Sequence, residues 1–313
     1  MEFVYNLAEG CMPILHSIQE LRTPLMDSFF SAITHLGEET FFLGIAILFF
    51  WCLNKREGYF ILVTGLIGAV TNQFAKILFR IPRPWVLDPE FDIVESARAE
   101  ATGYSFPSGH TQNISSTYGS IAAYKPKWWK TILCVTIIGL VSFSRMYLGV
   151  HTPLDVGASL LVSLVLVLIL APCFKTEERM RRSMPWIIIV SILFSFGFLA
   201  YVTSISGTEG IDAHNYESAL ENAYALLGCT IALVPVYILD TAFVKFETDA
   251  RWYAQILKLG IGLGIVLAIK VLLKTPINDL CGDIYIGRAI RYFLMVMFAG
   301  GIWPMTFKWF KKL

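Results

Sequence analysis

Residues 156–174 read VGASLLVSLVLVLILAPCF, an apolar run with no charged side chain. As a helix rising about 1.5 Å per residue, this run is about 28 Å long, close to the thickness of the hydrocarbon core of a bilayer. Lipid offers no hydrogen-bond partners to an exposed backbone, so a spanning segment of this kind has to be helical. The run therefore predicts a transmembrane helix.

The composition extends this prediction to the whole chain. Of its 313 residues, 56% are hydrophobic and 16% are charged, whereas an ordinary soluble domain has roughly 25% charged residues. We predict an all-α polytopic membrane protein with about nine transmembrane helices. They correspond to the apolar stretches 40–54, 58–75, 111–124, 131–144, 156–174, 184–206, 222–239, 252–273 and 292–307.

The polar stretch SISGTEGIDAHNYES, residues 204–218, suggests a division of the chain. Every chemical motif precedes it, so we predict a six-helix, membrane-embedded core over 1–206. The remaining three helices, within 207–313, form a C-terminal transmembrane extension.

The distribution of basic residues predicts the orientation of the chain. With nine spans, one set of loops holds 14 of the 25 Lys and Arg residues and the opposite set holds ten. Cytoplasmic loops carry the excess of positive charge. We therefore expect the N-terminus outside and the C-terminal KWFKKL in the cytoplasm, in a bacterial plasma membrane.

Net charge and cysteine spacing argue against several functions. A net charge of +1 does not favour a nucleic-acid partner, because the phosphate backbone is bound by an excess of Lys and Arg. The six cysteines show neither metal-ligand nor redox spacing. We expect no nucleic acid, no metal and no cofactor, and the sequence does not predict an oligomeric state.

Three polar islands lie at helix ends on the predicted outer side. Their sequences are KILFRIPRP (76–84), GYSFPSGHTQN (103–113) and SRMYLGVHTPLD (144–155). The candidate site residues in them are Lys76, Arg83, Ser108, Gly109, His110, Arg145, His151 and Asp155.

These residue types suit a phosphate group. Lys76, Arg83 and Arg145 are cations, and Arg offers a planar fork of donors that fits phosphate oxygens. Ser-Gly-His at a helix start adds free backbone N–H groups at the positive end of the helix dipole. Two histidines remain, one to attack phosphorus and one to transfer a proton. No carboxylate cluster accompanies them, so a metal-dependent phosphatase is not favoured.

Each residue also has a structural explanation. Lys76 and Arg83 can extend from helix ends towards the interface, and Ser108 is an acceptable N-cap. Thr152 and Asp155 have the spacing of a capping box, in which each side chain binds the other's backbone N–H. The structural and chemical roles can coexist, and the conjunction of three cations, two histidines and one aspartate favours a site.

Two further arginines, Arg288 and Arg291, lie in the last third of the chain. They could reach a second phosphate or a lipid headgroup. Exposure to solvent is the interpretation that we prefer for both.

The three islands together resemble the tripartite signature of the type 2 phosphatidic acid phosphatase superfamily. The pattern is Lys, six residues, Arg-Pro; Pro-Ser-Gly-His; and Ser-Arg, five residues, His, three residues, Asp, complete across 76–155. The resemblance implies that His151 is the nucleophile, that Asp155 orients it and that His110 is the general acid and base. The implied phosphate-binding groups are Lys76, Arg83, Ser108, Gly109 and Arg145.

The expected function is hydrolysis of a phosphomonoester or diphosphate of a membrane lipid, such as a polyprenyl diphosphate, without a metal. The alternatives are a phosphatase for a soluble ester and a phosphotransferase. The run RPWVLD, residues 83–88, resembles the glucose 6-phosphate phosphatase branch of the same superfamily. A transporter or lipid-binding protein without turnover is disfavoured, because binding alone needs no nucleophile.

Overall fold

The computed structural model describes residues 2–99 and 101–312, in which all regular structure is helical. The α-helices are α1 Glu2–Glu9, α2 Met12–Gln19, α3 Pro24–Thr34, α4 Glu39–Leu48, α5 Lys55–Phe79, α6 Pro84–Leu87, α7 Gly109–Ala123, α8 Trp128–Tyr147, α9 Pro153–Leu170, α10 Glu177–Ser204, α11 Ala213–Ile238, α12 Trp252–Leu272, α13 Lys274–Cys281, α14 Ile284–Met297 and α15 Phe307–Phe310. Short π-helical segments extend three of these, at Phe49–Leu53, Leu239–Val244 and Phe298–Ile302.

Seven helical segments in the described part of the chain are long and apolar enough to cross a membrane. They are Lys55–Leu87, Trp128–Tyr147, Pro153–Phe174, Glu177–Ser204, Ala213–Val244, Trp252–Leu272 and Ile284–Phe310. An eighth is possible if the pair Pro24–Gly37 and Glu39–Leu53, bent by 53°, counts as one span. The all-α membrane fold is confirmed, and the predicted count of nine spans is not confirmed.

The expected span 111–124 is not among these candidates, and the expected span 40–54 is included only through the bent pair. Residues 111–124 form α7, which has 15 residues and is therefore about 22 Å long, shorter than the roughly 20 residues of a typical span. Much of α7 is polar and buried, including Gln112 and Ser116. Gln112 Nε2 donates to Ser163 Oγ of α9 at 2.8 Å. Because α7 packs against α8 and α9, protein groups rather than lipid surround its polar residues.

The chain forms two compact units. The first unit comprises the chain up to Leu43, Val63–Pro172 and Gly207–Ala219. Its helices include α7, α8 and α9. An apolar cluster in this unit joins α2 to the loops that follow α6 and α8, and its buried members are Met12, Leu15, Ile18, Phe91, Ala97, Tyr147, Leu148 and Val150.

The second unit comprises Gly44–Leu62, Cys173–Ser206 and the chain from Leu220. Aromatic side chains pack within it, and Trp51 Nε1 donates to the carbonyl of Ala299 at 2.9 Å. Lys258 is buried, but its ammonium donates to the carbonyl of Trp51 at 2.8 Å and lies 4.5 Å from the centroid of the Phe307 ring. The predicted boundary between a core over 1–206 and an extension over 207–313 stays a prediction.

Candidate active site

The eight predicted site residues all belong to the first unit, and all lie at or next to helix ends. Lys76 is in the last turn of α5, Arg83 precedes α6, and Arg145 is in the last turn of α8. Ser108 caps α7, which begins with Gly109 and His110, and His151 and Asp155 flank the start of α9. Helix ends are where backbone N–H and C=O groups lack helical partners, so polar ligands can bind there.

Both ring nitrogens of His151 have polar neighbours. Its Nδ1 lies 3.3 Å from Asp155 Oδ2 and 3.4 Å from Ser105 Oγ, and its Nε2 lies 3.1 Å from Nη1 of Arg83. A guanidinium can only donate, so Nε2 accepts and the proton of the neutral ring is on Nδ1, directed at the carboxylate. This tautomer leaves the lone pair of Nε2 on the side of the cations, where a phosphate would bind.

The surroundings of His151 keep it neutral. The side chain is 2% exposed, and it lies in the loop between the spans Trp128–Tyr147 and Pro153–Phe174. Burial, followed by the positive charges of Arg83, Lys76 and Arg145, lowers the pKa of His151 well below its usual value. A neutral imidazole has the lone pair that a nucleophile needs.

Asp155 is held by groups other than His151. Oδ2 of Asp155 accepts from Ser105 Oγ at 2.6 Å and from the backbone N–H of Thr152 at 2.7 Å. The N–H of Asp155 donates to Thr152 Oγ1 at 3.3 Å, which completes the capping box, with Pro153 at the first helical position. The capping contacts of Asp155 and its contact with His151 therefore occur in the same conformation.

Arg83 and Lys76 bind the loop that precedes α7. Arg83 donates to the carbonyls of Thr102 at 2.7 Å and Gly103 at 3.1 Å, and also to that of Val150 at 2.9 Å. The ammonium of Lys76 donates to the carbonyl of Tyr104. These cations thus link the three polar islands, and Arg83 contacts both the loop before α7 and His151.

Arg145 is anchored by a residue outside the three islands. Its Nη1 donates to the hydroxyl of Thr34, which is buried at the end of α3. The carbonyl of Arg145 accepts from the backbone N–H groups of Val150 and His151, at 3.1 and 3.3 Å. Thr34 therefore holds the side chain of Arg145, and the carbonyl of Arg145 holds the backbone of His151.

The start of α7 presents its backbone to the site. Ser108 Oγ accepts from the N–H of Thr111. Ser108 is therefore an N-cap, which was the structural explanation that the sequence offered for it. A Cβ atom at Gly109 would have Asn72 Oδ1 at 3.7 Å as its only close neighbour among the described residues. Packing therefore does not require glycine at this position. A ligand that bound close to the backbone would require it.

His110 follows Gly109 in α7, and the positive charges of Arg145, Arg83 and Lys76 act on it. Gly37 packs directly on it. A Cβ atom at Gly37 would come within 2.9 Å of the Cβ atom of His110, so only glycine fits. The 3₁₀ turn His35–Gly37, at the 53° bend, therefore limits the position of His110.

Sequence reasoning missed three contributors to this geometry: Thr34, Gly37 and Ser105. Thr34 and Gly37 precede the first island by about forty residues, and neither has a distinctive spacing. Ser105 lies inside the second island, three residues before Ser108. Its position in a loop next to Pro-Ser-Gly-His was the one signal that could have identified it.

Replacing Ser105 with Ala is expected to lower kcat about 10–100-fold with little change in KM, the scale on which partners of catalytic side chains act. The variant removes a donor to Asp155 and leaves the phosphate-binding cations in place. Steady-state kinetics on a lipid phosphate measure the effect, with Ser120→Ala, equally buried on α7, as the control. Equal loss in both variants would mean that Ser105 only supports folding.

Comparison with known proteins supports this assignment of the motifs. Residues 56–179 match the PAP2 superfamily, and residues 224–312 match the family described as PAP2 superfamily phosphatase, transmembrane extension. The chain therefore carries a PAP2 superfamily domain followed by a PAP2 transmembrane extension, and the resemblance drawn from the three islands is confirmed.

Curated relatives of the chain have the names of lipid phosphatases. It is 28% identical to "Probable sphingosine-1-phosphate phosphatase" of Dictyostelium discoideum, over 65% of this chain and 50% of that protein. It is 30% identical to "Undecaprenyl-diphosphatase" of Sulfolobus acidocaldarius, over 42% of this chain and 62% of that protein. It is 26% identical to "Phosphatidylglycerophosphatase B" of Bacillus subtilis, over 52% and 82%. The chain thus spans less than two thirds of the first two relatives.

Proposed function

We propose that this protein is a metal-independent phosphatase of membrane lipids that works through a phosphohistidine on His151. The observation that carries the proposal is that Asp155 and Arg83 contact opposite ring nitrogens of His151. Nδ1–H donates to Asp155 Oδ2, while Nε2 accepts from Arg83. The names of the curated relatives support the lipid phosphate as substrate.

The reaction has two steps. In the first, Arg83 moves its hydrogen bond from Nε2 of His151 to a phosphoryl oxygen, which frees the lone pair of Nε2. Nε2 then forms a bond to phosphorus, the bond from phosphorus to the lipid oxygen breaks, and His110 gives a proton to that oxygen. In the second, His110 takes a proton from water, the water oxygen bonds to phosphorus, and the P–N bond breaks to release phosphate. Lys76, Arg83, Arg145 and the N–H groups at the start of α7 stabilise the charge on the phosphoryl oxygens.

The site chemistry favours catalysis without a metal ion. Asp155 is the carboxylate among the eight site residues, and its Oδ2 is already bound to Ser105 and Thr152. Three cations surround the position of the phosphate and supply the charge that a divalent ion would otherwise bring. Within 2–99 and 101–312, His, Cys, Asp and Glu side chains form no group of three or more that could hold a metal ion.

The surroundings of the site favour a lipid over a sugar phosphate. Leu78 and Val86 are exposed within three residues of Lys76 and Arg83, so an apolar tail has a surface next to the phosphate. The NH₂ groups of three amides that could bind sugar hydroxyls already donate within the protein. Asn72 donates to the Pro107 carbonyl, Gln112 to Ser163 and Asn113 to the Gly37 carbonyl, at 3.2, 2.8 and 3.2 Å. In the described part of the chain, Oδ1 of Asn72 and Oε1 of Gln112 have no hydrogen-bond partner.

The substrate class is tested by specificity constants in detergent, with EDTA present, for undecaprenyl diphosphate, phosphatidic acid, sphingosine 1-phosphate and glucose 6-phosphate. We expect at least one lipid to exceed the sugar ester by more than about tenfold, because each buried CH₂ of a tail contributes about 0.8 kcal/mol. Released phosphate should equal the lipid consumed. A shortfall would indicate transfer to an acceptor other than water, and loss of activity with EDTA that magnesium restores would refute metal independence.

The orientation is part of the proposal: the N-terminus and the site outside, the C-terminus in the cytoplasm. It keeps α7 as a helix that crosses with α8, because the start of α7 and the end of α8 lie at one site. It predicts residues 85–106, 145–152 and 207–217 outside and 175–184 inside, from the excess of basic residues in the cytoplasmic loops. Cysteines introduced at Ser96 and Thr176 should label oppositely with an impermeant thiol reagent applied to intact cells, with the unmodified chain as the blank. Labelling at the Thr176 position and not at the Ser96 position would show that the orientation is the reverse of the proposed one.

A further inference from the structure

Helix α14, in the second unit, carries two arginines one turn apart. Arg288 is partly exposed, and its Nη1 donates to Oε2 of Glu221 at 2.6 Å. Arg291 is 6% exposed. The expectation that both arginines face solvent is therefore wrong for Arg291.

The guanidinium of Arg291 lacks acceptors for two of its nitrogens. Its Nε and Nη1 are buried and have no hydrogen-bond partner in the described part of the chain. The guanidinium carbon lies 5.9 Å from the centroid of the Tyr292 ring, a contact that engages the ring face but accepts no hydrogen bond. Burying a guanidinium without acceptors is costly, so a ligand that supplies them is favoured.

The charges around Arg291 do not cancel. Glu221 is the carboxylate that acts on Arg291, and it is paired with Arg288, which itself repels Arg291. Two arginines and one carboxylate leave one uncompensated positive charge. The missing partner is therefore an anion.

The location of Arg291 indicates where that anion comes from. It lies within the membrane span Ile284–Phe310. Ile286, Ile290 and Leu294 of the same helix are exposed, so lipid covers part of its surface. Buried arginines in membrane spans pair with other groups or with polar ligands, and a lipid phosphate adjoins the hydrocarbon at such a surface.

We infer that Arg291, with Arg288, binds the phosphate group of a membrane lipid in the second unit. The phosphate oxygens accept from the buried nitrogens of Arg291 and neutralise its charge, while the acyl chains cover the apolar residues of α14. This site is built from residues that take no part in the proposed reaction, so it does not depend on the proposed function.

Lipid binding is measured on the full chain in detergent, with His151→Ala so that no lipid is consumed. Dihexanoyl phosphatidylglycerol, dihexanoylglycerol and inorganic phosphate are titrated separately, with thermal unfolding and ligand affinity as readouts. We expect phosphatidylglycerol to raise Tm and dihexanoylglycerol, which lacks the phosphate, to leave Tm unchanged. Inorganic phosphate can also bind the active-site cations that remain in His151→Ala, so only the part of each rise that Arg291→Gln removes is compared. An Arg291-dependent rise with inorganic phosphate equal to that with the lipid would overturn the lipid assignment in favour of free phosphate.

Substitutions assign the site to Arg291. Arg291→Gln should weaken phosphatidylglycerol at least tenfold, and Arg182→Gln, an exposed arginine of α10 in the same unit, should not. If Arg291→Gln does not fold, Arg291→Lys retains the charge and should bind with intermediate affinity, because it lacks the fork of donors. Unchanged affinity in a folded Arg291 variant refutes the inference.

Discussion

His151→Ala is expected to reduce phosphate release by more than about 10⁴-fold, the scale of loss when a nucleophile is removed from a preorganised site. Nδ1 of His151 lies 3.3 Å from Oδ2 of Asp155, which holds the ring with Nε2 towards the cations. Water could still attack a bound phosphate, but it would lack the fixed position that the ring has.

The measurement is steady-state turnover together with rapid acid-free quenching and phosphoprotein analysis. Wild type should form a phosphoprotein that is labile in acid and stable in base, as expected of a phosphohistidine, and His151→Ala should form none. His214→Ala is the matched control, because His214 is exposed at the start of α11. Turnover near the wild-type rate in His151→Ala would exclude covalent catalysis through this residue.

His110→Ala is expected to lower kcat about 10²–10⁴-fold, the range of general acid–base contributions. Its effect should depend on the leaving group. With p-nitrophenyl phosphate, whose leaving oxygen needs little protonation, the first step should survive, while water is no longer activated in the second step. Phosphoprotein should therefore accumulate in His110→Ala to a higher level than in wild type.

Single-turnover experiments with p-nitrophenyl phosphate and a lipid phosphate separate the two steps. A burst of p-nitrophenol followed by slow phosphate release is the expected pattern for His110→Ala. A variant that loses both steps equally with the activated ester would assign His110 to binding rather than to proton transfer. Gly37→Ala provides a geometric test, since its Cβ would press on the Cβ of His110 and should impair the same steps without removing the imidazole.

The sequence by itself determined the all-helical membrane fold and the eight candidate site residues. Long uncharged runs such as 156–174 leave helical spans as the stable solution in lipid. The motif spacing was informative because three polar patterns that each suit a phosphate seldom occur in one chain without a shared ligand, and the family comparison agrees with it.

The surroundings of α7 were decided only by the tertiary structure. Residues 111–124 have enough apolar side chains to resemble a short span, but α7 ends at Ala123 after 15 residues. Its polar groups find partners on neighbouring helices, as Gln112 does with Ser163. Hydropathy measures the preference of a segment for lipid, and it does not show whether protein already surrounds the segment.

Tertiary structure also decided what fixes the site residues. Thr34 meets Arg145 across 111 positions, and Gly37 meets His110 because the chain bends between α3 and α4. Contacts of this kind leave no periodic trace in the sequence, since they depend on where a bend places one backbone against another. The tautomer of His151 likewise follows from Arg83 and Asp155 binding opposite ring nitrogens, a geometry that exists only once the helix ends have come together.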